Sequence, residues 1–287
     1  MAAENLRIIY DNAADRGTLT ASSQVGALVV SNLRNDIKTH IWRSIGTVES
    51  LTMIWPTKEP ISGAVLGFSN CSPRTMMRAR SYDEVTDLTP QFDTDYLPAA
   101  PIPTLGTFGW GDPLGEHFYV PGGASMFAYG FGSYARIWFP EGGYAGKKLV
   151  LDITDPGSPN GYIEASRLFV GRAWSPRHNF DFGNTLSFED QTRTERSEAG
   201  DLRSDMGTRH RKVSFTLSHL NVNDRNSLIR MMRLVGVAKP IFISMYPNSD
   251  DAFAEEAYQM LCKLTDSGKI SLPRYERYMT QLEFEEI

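Results

Sequence analysis

Cysteine is scarce in this sequence. The two cysteines, Cys71 and Cys262, lie far apart, and neither forms part of a Cys-x-x-Cys pair. A fold held together by disulfide bonds is therefore not expected, and the pattern is typical of a protein made in a reducing cytoplasm. Isolated cysteines of this kind usually act as small buried apolar residues.

Long apolar runs and an excess of basic residues are also missing. The longest aliphatic stretch, Val25–Val30, is far shorter than the roughly 20 residues that a membrane helix needs. The first residues show no basic region followed by an apolar run, so we expect no signal peptide. The 34 acidic and 29 basic residues give a net charge of −5, which argues against a nucleic-acid surface.

The sequence contains no recognisable catalytic motif. It has no phosphate-binding loop, dinucleotide fingerprint, nucleophile elbow or His-Glu-x-x-His pattern, and these are the common signatures of enzyme sites. None of the five histidines pairs with another histidine or a cysteine at metal-ligand spacing. We therefore expect no enzyme, cofactor or metal site. Asp152 and Asp155 predict a turn in which carboxylates cap backbone amides, and a structural calcium there stays open.

Short strands separated by turn residues dominate the first half of the chain, which indicates a β-sandwich or barrel. The strand candidates are Leu6–Tyr10, Ser50–Trp55, Ile61–Phe68, Thr75–Tyr82, Tyr134–Phe139, Lys147–Ile153 and Tyr162–Val170. Between about residues 86 and 125, proline, glycine and aromatic residues replace this pattern. Such a long segment predicts an ordered functional or assembly loop, because disordered linkers are poor in aromatic residues.

Large aromatic side chains are candidates for contact with a partner or a sugar ring. Trp110 lies inside the Gly/Pro segment and is the most obvious candidate, and Trp42 is the second. Core packing is the ordinary role of tryptophan, and it is the alternative for both residues.

The second half differs in pattern and predicts a separate domain. Arg211–Leu220 alternates apolar and polar residues, as a half-buried strand does, and helical spacing follows from Leu228 to Gly236. Four arginines mark a charged exposed hairpin at about residues 190–211 and are candidates for contacts between subunits: Arg193, Arg196, Arg203 and Arg209. We therefore predict domains at 1–175 and 176–287, the second being an α+β barrel with one helix.

The first half resembles the galactose-binding-like, discoidin-type jelly roll found in phage tail proteins. The residues that carry this resemblance are Asn5–Asn12, Ala21–Ser23, Asn32–Asn35, Trp42–Ser44 and Gly161–Gly171. No sugar-contacting residue is carried over, because the Thr86–Gly123 insertion occupies one crossing of the sandwich.

The second half resembles the C-terminal region of distal-tail-type baseplate proteins of long-tailed phages. The matching stretches are Arg211–Leu220, Asp224–Arg225, Pro240–Ser244, Tyr258–Leu261 and Leu282–Ile287. The resemblance implies a tail-tube-like β-barrel with one flanking helix, and a hairpin that ties neighbouring subunits into a ring.

Together these resemblances imply a mainly β structural virion protein of the phage tail tip, made in the host cytoplasm. Its expected partners are other copies of itself in a ring, six in number, the tail-tube protein, the baseplate hub and tail fibres. Two alternatives stay open: a module that attaches the particle to a host surface glycan, and a glycan hydrolase. The hydrolase is less favoured, because no repeated β-helical pattern or acid pair stands out.

Overall fold

The computed structural model describes residues 4–72, 74–100, 133–139, 143–249, 251–266, 268–274 and 277–287. The chain divides into two compact units. Unit 1 comprises Met1–Pro176 and Ile241–Met260, and unit 2 comprises Arg177–Pro240 and Leu261–Ile287. The stretch Ile241–Met260 thus packs within unit 1, whereas the sequence analysis places it in the second domain.

The elements are numbered in chain order. The first thirteen strands are β1 (Arg7–Ile9), β2 (Thr18–Ala21), β3 (Trp42–Arg43), β4 (Val48–Ile61), β5 (Gly63–Ser69), β6 (Met76–Tyr82), β7 (Phe92–Asp93), β8 (Leu97–Pro98), β9 (Ser133–Trp138), β10 (Tyr144–Thr154), β11 (Glu164–Ala165), β12 (Arg167–Gly171) and β13 (Ala173–Trp174). Then follow β14 (Thr185–Asp190), β15 (Arg193–Arg196), β16 (Leu202–Asp205), β17 (Arg209–Leu220), helix α1 (Val222–Val235), β18 (Ile241–Ser244), helix α2 (Ala252–Ala257), β19 (Gln259–Leu264), β20 (Lys269–Arg274) and β21 (Arg277–Glu286).

Unit 1 is a β-sandwich. One sheet has the order β2-β4-β10-β6-β7, with β8 also on β6, and the other has the order β12-β5-β9. Alternate residues of the long strands point into one shared core, which includes Leu51 and Met53 of β4, Leu151 of β10, Leu66 of β5 and Leu168 of β12. This alternation follows from the two-residue period of a strand, and it explains why the sequence pattern predicts these strands well.

The returning segment of unit 1 covers the outside of the second sheet. The ring of Phe242 on β18 lies 5.8 Å from that of Tyr134 and 6.1 Å from that of Trp138 on β9. A buried ion pair joins Arg136 of β9 to Glu255 of α2, and Arg136 Nε donates to Glu255 Oε1 at 2.7 Å. Strand β5 is therefore buried on both faces, which suits its nearly continuous apolar sequence.

Unit 2 is built on an antiparallel sheet in which β17 pairs with β14 and β21. Residues of β21 also pair with Cys262–Leu264 of β19 and with β20. The inner face holds Val213, Phe215 and Leu217, and the rings of Phe215 and Phe284 stack at 5.7 Å. The outer face of β17 carries His210, Lys212, Ser214 and Thr216, as the alternating sequence predicts.

Helix α1 covers the core of unit 2 with residues spaced three or four apart, namely Asp224, Leu228, Met231 and Val235. Asn221 caps its first turn by accepting a hydrogen bond from the Asp224 amide at 2.8 Å. Gly236 ends the helix with a φ of 55°, a conformation that favours glycine. The predicted helix is therefore confirmed, together with its closing glycine.

The prediction of a mainly β fold is confirmed. In unit 2 the pairings of the described residues run in the open order β19-β21-β17-β14, so they do not close the sheet into a barrel. No helix of the described residues is long and apolar enough to cross a membrane.

Candidate interaction hairpin

The most prominent feature of unit 2 is a hairpin formed by residues 185–220, here called the projecting hairpin. Its stem consists of β14 and β17, which pair from Thr185 opposite Ser214 to Asp190 opposite Arg209. Its tip, residues 191–208, contains β15 and β16, which pair only with each other. The stem therefore belongs to the packed sheet of unit 2, and the tip extends beyond it as a two-stranded ribbon.

Local hydrogen bonds shape the passage from stem to tip. The Gln191 amide donates to the Thr208 carbonyl at 3.0 Å. The backbone of Gly207 lies so close to Gln191 that a Cβ there would come within 2.3 Å of the Gln191 carbonyl carbon. Glycine is thus required at position 207, because any side chain would push the two strands apart.

Every residue of β15 and β16 is exposed. The exposed residues of the projecting hairpin include large apolar ones: Phe188 is 56% exposed, Leu202 61% and Met206 86%. An isolated two-stranded ribbon is marginally stable in water. A tip with exposed backbone edges and apolar side chains is the kind of surface that another chain covers.

The tip also carries unpaired charges of both signs. Glu195 lies opposite Arg203, and Arg193 lies opposite Asp205. Yet none of these four side chains forms an ion pair with any residue that the structure describes, and Arg196 donates to the Gly200 carbonyl instead. The four predicted arginines thus lie on one hairpin, but only Arg209, which contacts Asp190, has an ionic partner within it.

An ionic network covers the outer face of the stem. Lys212 Nζ lies 2.7 Å from Glu189 Oε1 and 3.4 Å from Glu285 Oε2. The hydrogen bond from Lys212 is the main cause that lowers the pKa of Glu189, and the same bond raises the pKa of Lys212. His210 lies beside the same two carboxylates, and Glu189, His210 and Glu285 are the only group of potential metal ligands found among the described residues.

The two predicted aromatic contacts have different outcomes. Trp42 has no exposed surface, because β3 places it in the core of unit 1, where its indole N–H donates to the Ser23 carbonyl at 3.1 Å. The prediction that Trp42 contacts a partner or glycan is therefore corrected. Trp110 lies outside the described residues, as does most of the predicted Gly/Pro loop.

The acidic turn predicted around Asp155 is confirmed. Its buried carboxylate accepts hydrogen bonds from the Ser72 amide at 2.8 Å and the Gly157 amide at 3.1 Å. Asp152 forms an ion pair with Arg80. Both carboxylates thus have partners within the protein.

No protein-family model and no curated protein matches this sequence. Among solved structures, chitosan-binding module 1 of a chitosanase/glucanase from Paenibacillus sp. IK-5 is 18% identical, with a TM-score of 0.35. The match covers 56% of this chain and 98% of that one. A fucose-binding module from Streptococcus pneumoniae is 7% identical over 56% of this chain and 95% of its own, also at 0.35.

The similar structures are not confined to carbohydrate-binding modules. Reduced XRCC1, solved bound to the catalytic domain of DNA polymerase β, has 14% identity and a TM-score of 0.35 over 56% of this chain and 99% of that one. Likeness at this level does not assign a ligand to the chain, and the β-sandwich of unit 1 is established by its own strand pairings.

Proposed function

We propose that this chain is a non-enzymatic structural subunit that assembles with copies of itself through the projecting hairpin. The observation that carries the proposal is the tip, residues 191–208, whose strands β15 and β16 are exposed at every position and pair with each other outside any core. Such a ribbon gains stability when a neighbour covers it. Its unpaired charges of both signs suit a second copy, which would present the same mixture in return.

In its most specific form, the proposal is a ring-forming distal tail subunit of a phage. The support is the resemblance of Arg211–Leu220 and Leu282–Ile287 to the C-terminal region of such proteins. A head-to-tail interface whose rotation closes gives a cyclic ring, in this proposal of six copies. The tail tube, the hub and the fibres would then contact the faces of that ring in the virion.

A hairpin-deletion variant tests the self-assembly. Residues 191–208 are replaced by Asn-Gly, because Asp190 and Arg209 are direct strand partners and a two-residue turn of this type closes such a pair. The intact chain should form closed rings by mass photometry and negative-stain electron microscopy. The variant should be monomeric with an unchanged melting temperature, since no core residue is removed.

Two results would contradict the self-assembly: an intact chain that stays monomeric at high concentration, or rings that persist without the tip. The phage assignment has a separate test, which is the location of this subunit in purified particles by electron cryo-microscopy. If the chain forms rings in solution but is absent from the tails of purified particles, the proposal of self-assembly stands and the proposal of a phage tail subunit is rejected.

The glycan-binding alternative now depends on Trp110, since Trp42 is buried. It predicts binding to a host surface polysaccharide that Trp110→Ala abolishes on a glycan array. Trp42→Phe serves as the matched control and should leave such binding unchanged.

A further inference from the structure

Three side chains from different strands meet at the base of the projecting hairpin. Glu189 on β14 lies directly opposite His210 on β17, and Glu285 comes from β21 on the other side of β17. His210 Nε2 lies 3.0 Å from Glu285 Oε1 and 3.3 Å from Glu189 Oε2. One nitrogen and two carboxylate oxygens therefore face a common point, and all lie within 4.8 Å of one another.

The two separations from His210 Nε2, 3.0 and 3.3 Å, are close to those between neighbouring ligand atoms of a tetrahedral metal site. Zinc binds imidazole nitrogen and carboxylate oxygen at about 2.0–2.2 Å, which places neighbouring ligand atoms about 3.3 Å apart. His210 Nε2 is enclosed and makes no hydrogen bond with proper geometry to any described residue, although it lies within ion-pair distance of both carboxylates. The nitrogen is thus directed at the two oxygens without a hydrogen bond to hold it there.

Lys212 occupies the opposite side of the carboxylates. It contacts Glu189 Oε1 and Glu285 Oε2, and the other oxygen of each glutamate faces His210. Outer partners that hold a ligating carboxylate in this way are typical of metal centres. The two glutamates and Lys212 together carry a charge of −1, which favours a divalent cation.

The geometry points to a zinc site formed by Glu189, His210 and Glu285, with the fourth position open to water. The ion would link β14, β17 and β21 at the point from which the tip projects. The site is independent of the proposed assembly, because it lies within one copy of unit 2.

Zinc titration of the tag-free intact chain tests the site, after treatment with a chelator and its removal. Isothermal titration calorimetry should show one zinc per chain and thermal unfolding should shift upward with zinc. Co²⁺ added in place of zinc should show the visible d–d absorption of a four-coordinate ion. His210→Ala and Glu189→Gln should each raise the dissociation constant about tenfold or more, since loss of even an outer partner commonly costs 10- to 100-fold.

Two matched variants provide the controls. His219→Ala removes an exposed histidine from the far end of β17, and Glu283→Gln removes an exposed glutamate from β21. Both should bind zinc as the intact chain does. The site would be rejected by an intact chain without saturable zinc binding, or by His210→Ala and Glu189→Gln variants that are folded by circular dichroism and bind zinc with unchanged affinity.

Discussion

Individual charged residues in unit 2 differ sharply in environment. Arg211 is completely buried, and Glu286 receives its guanidinium in two hydrogen bonds, at 3.0 Å from Nε and 2.6 Å from Nη2. Arg209, two residues earlier on the same strand, is 62% exposed in its side chain, and among the described residues its ionic partner is Asp190. Strand β17 thus carries Arg211, which forms a buried ion pair within unit 2, and Arg209, which lies on the exposed part of the projecting hairpin.

Removal of the Glu286 charge should destabilise unit 2 strongly. Glu286→Gln removes the negative charge that pairs with the buried Arg211 guanidinium, and loss of one partner of a buried ion pair costs about 3–5 kcal/mol in the free energy of unfolding. Glu283→Gln, on an exposed position of the same strand, should change it by less than about 0.5 kcal/mol. Urea unfolding measures both values, and equal stabilities of the two variants would show that the buried pair contributes nothing.

The two cysteines should be chemically inert in the folded protein. Burial is the main cause that raises the pKa of Cys71 to about 11 and that of Cys262 well above its usual value. Only the thiolate reacts with disulfide reagents, so both thiols stay protonated and unreactive at pH 8. Colorimetric thiol titration should find no fast-reacting cysteine in the native chain and two after unfolding in guanidinium. Stoichiometric labelling of the native protein would contradict this expectation.

At the level of elements, the spacing of apolar residues along the chain predicts individual helices and strands. The spacing from Leu228 to Val235 and the closing Gly236 predict α1, and the alternation of Arg211–Leu220 predicts β17, because one buried face fixes each pattern. The cluster of Glu189, His210 and Glu285 cannot be predicted from local spacing, because its members come from three different strands. A search for histidines and cysteines at metal-ligand spacing does not find a site whose carboxylates are brought together only by strand pairing.

The exposed apolar residues of the tip should matter for assembly and not for folding. Leu202→Ser with Met206→Ser removes two side chains that are 61% and 86% exposed. The double variant should keep its melting temperature and weaken self-association by about tenfold or more in sedimentation velocity, because each buried apolar side chain contributes about 1.5–3 kcal/mol. Leu88→Ser, at a 94% exposed position of unit 1, is the matched control. Equal association of all three proteins would exclude these side chains from the interface.

At the scale of the whole molecule, the division of the chain is harder to read from sequence than its strands. Ile241–Met260 reads as part of a continuous second domain, yet Phe242 and Glu255 pack within unit 1. The reason is that the apolar sequence of a strand such as Ile241–Ser244 predicts that the strand is buried. It does not indicate which domain packs against that strand. Trp42 illustrates the same limit, since a tryptophan suits a core and an exposed interface equally well.

The charge of the molecule gives a final test of how copies would associate. Residues 190–209 carry five acidic and four basic side chains, nearly balanced, within a chain whose net charge is −5. Contacts between hairpins would then depend on local ion pairs, and salt screens exposed pairs over about 10 Å at 0.1 M and about 3 Å at 1 M. The dissociation constant should therefore rise severalfold between 0.1 and 1 M NaCl, as measured by sedimentation equilibrium. The Asn-Gly variant without residues 191–208 should be monomeric at both salt concentrations. An association of the intact chain that tightens with salt would contradict a contact through ion pairs and would favour one through Leu202 and Met206.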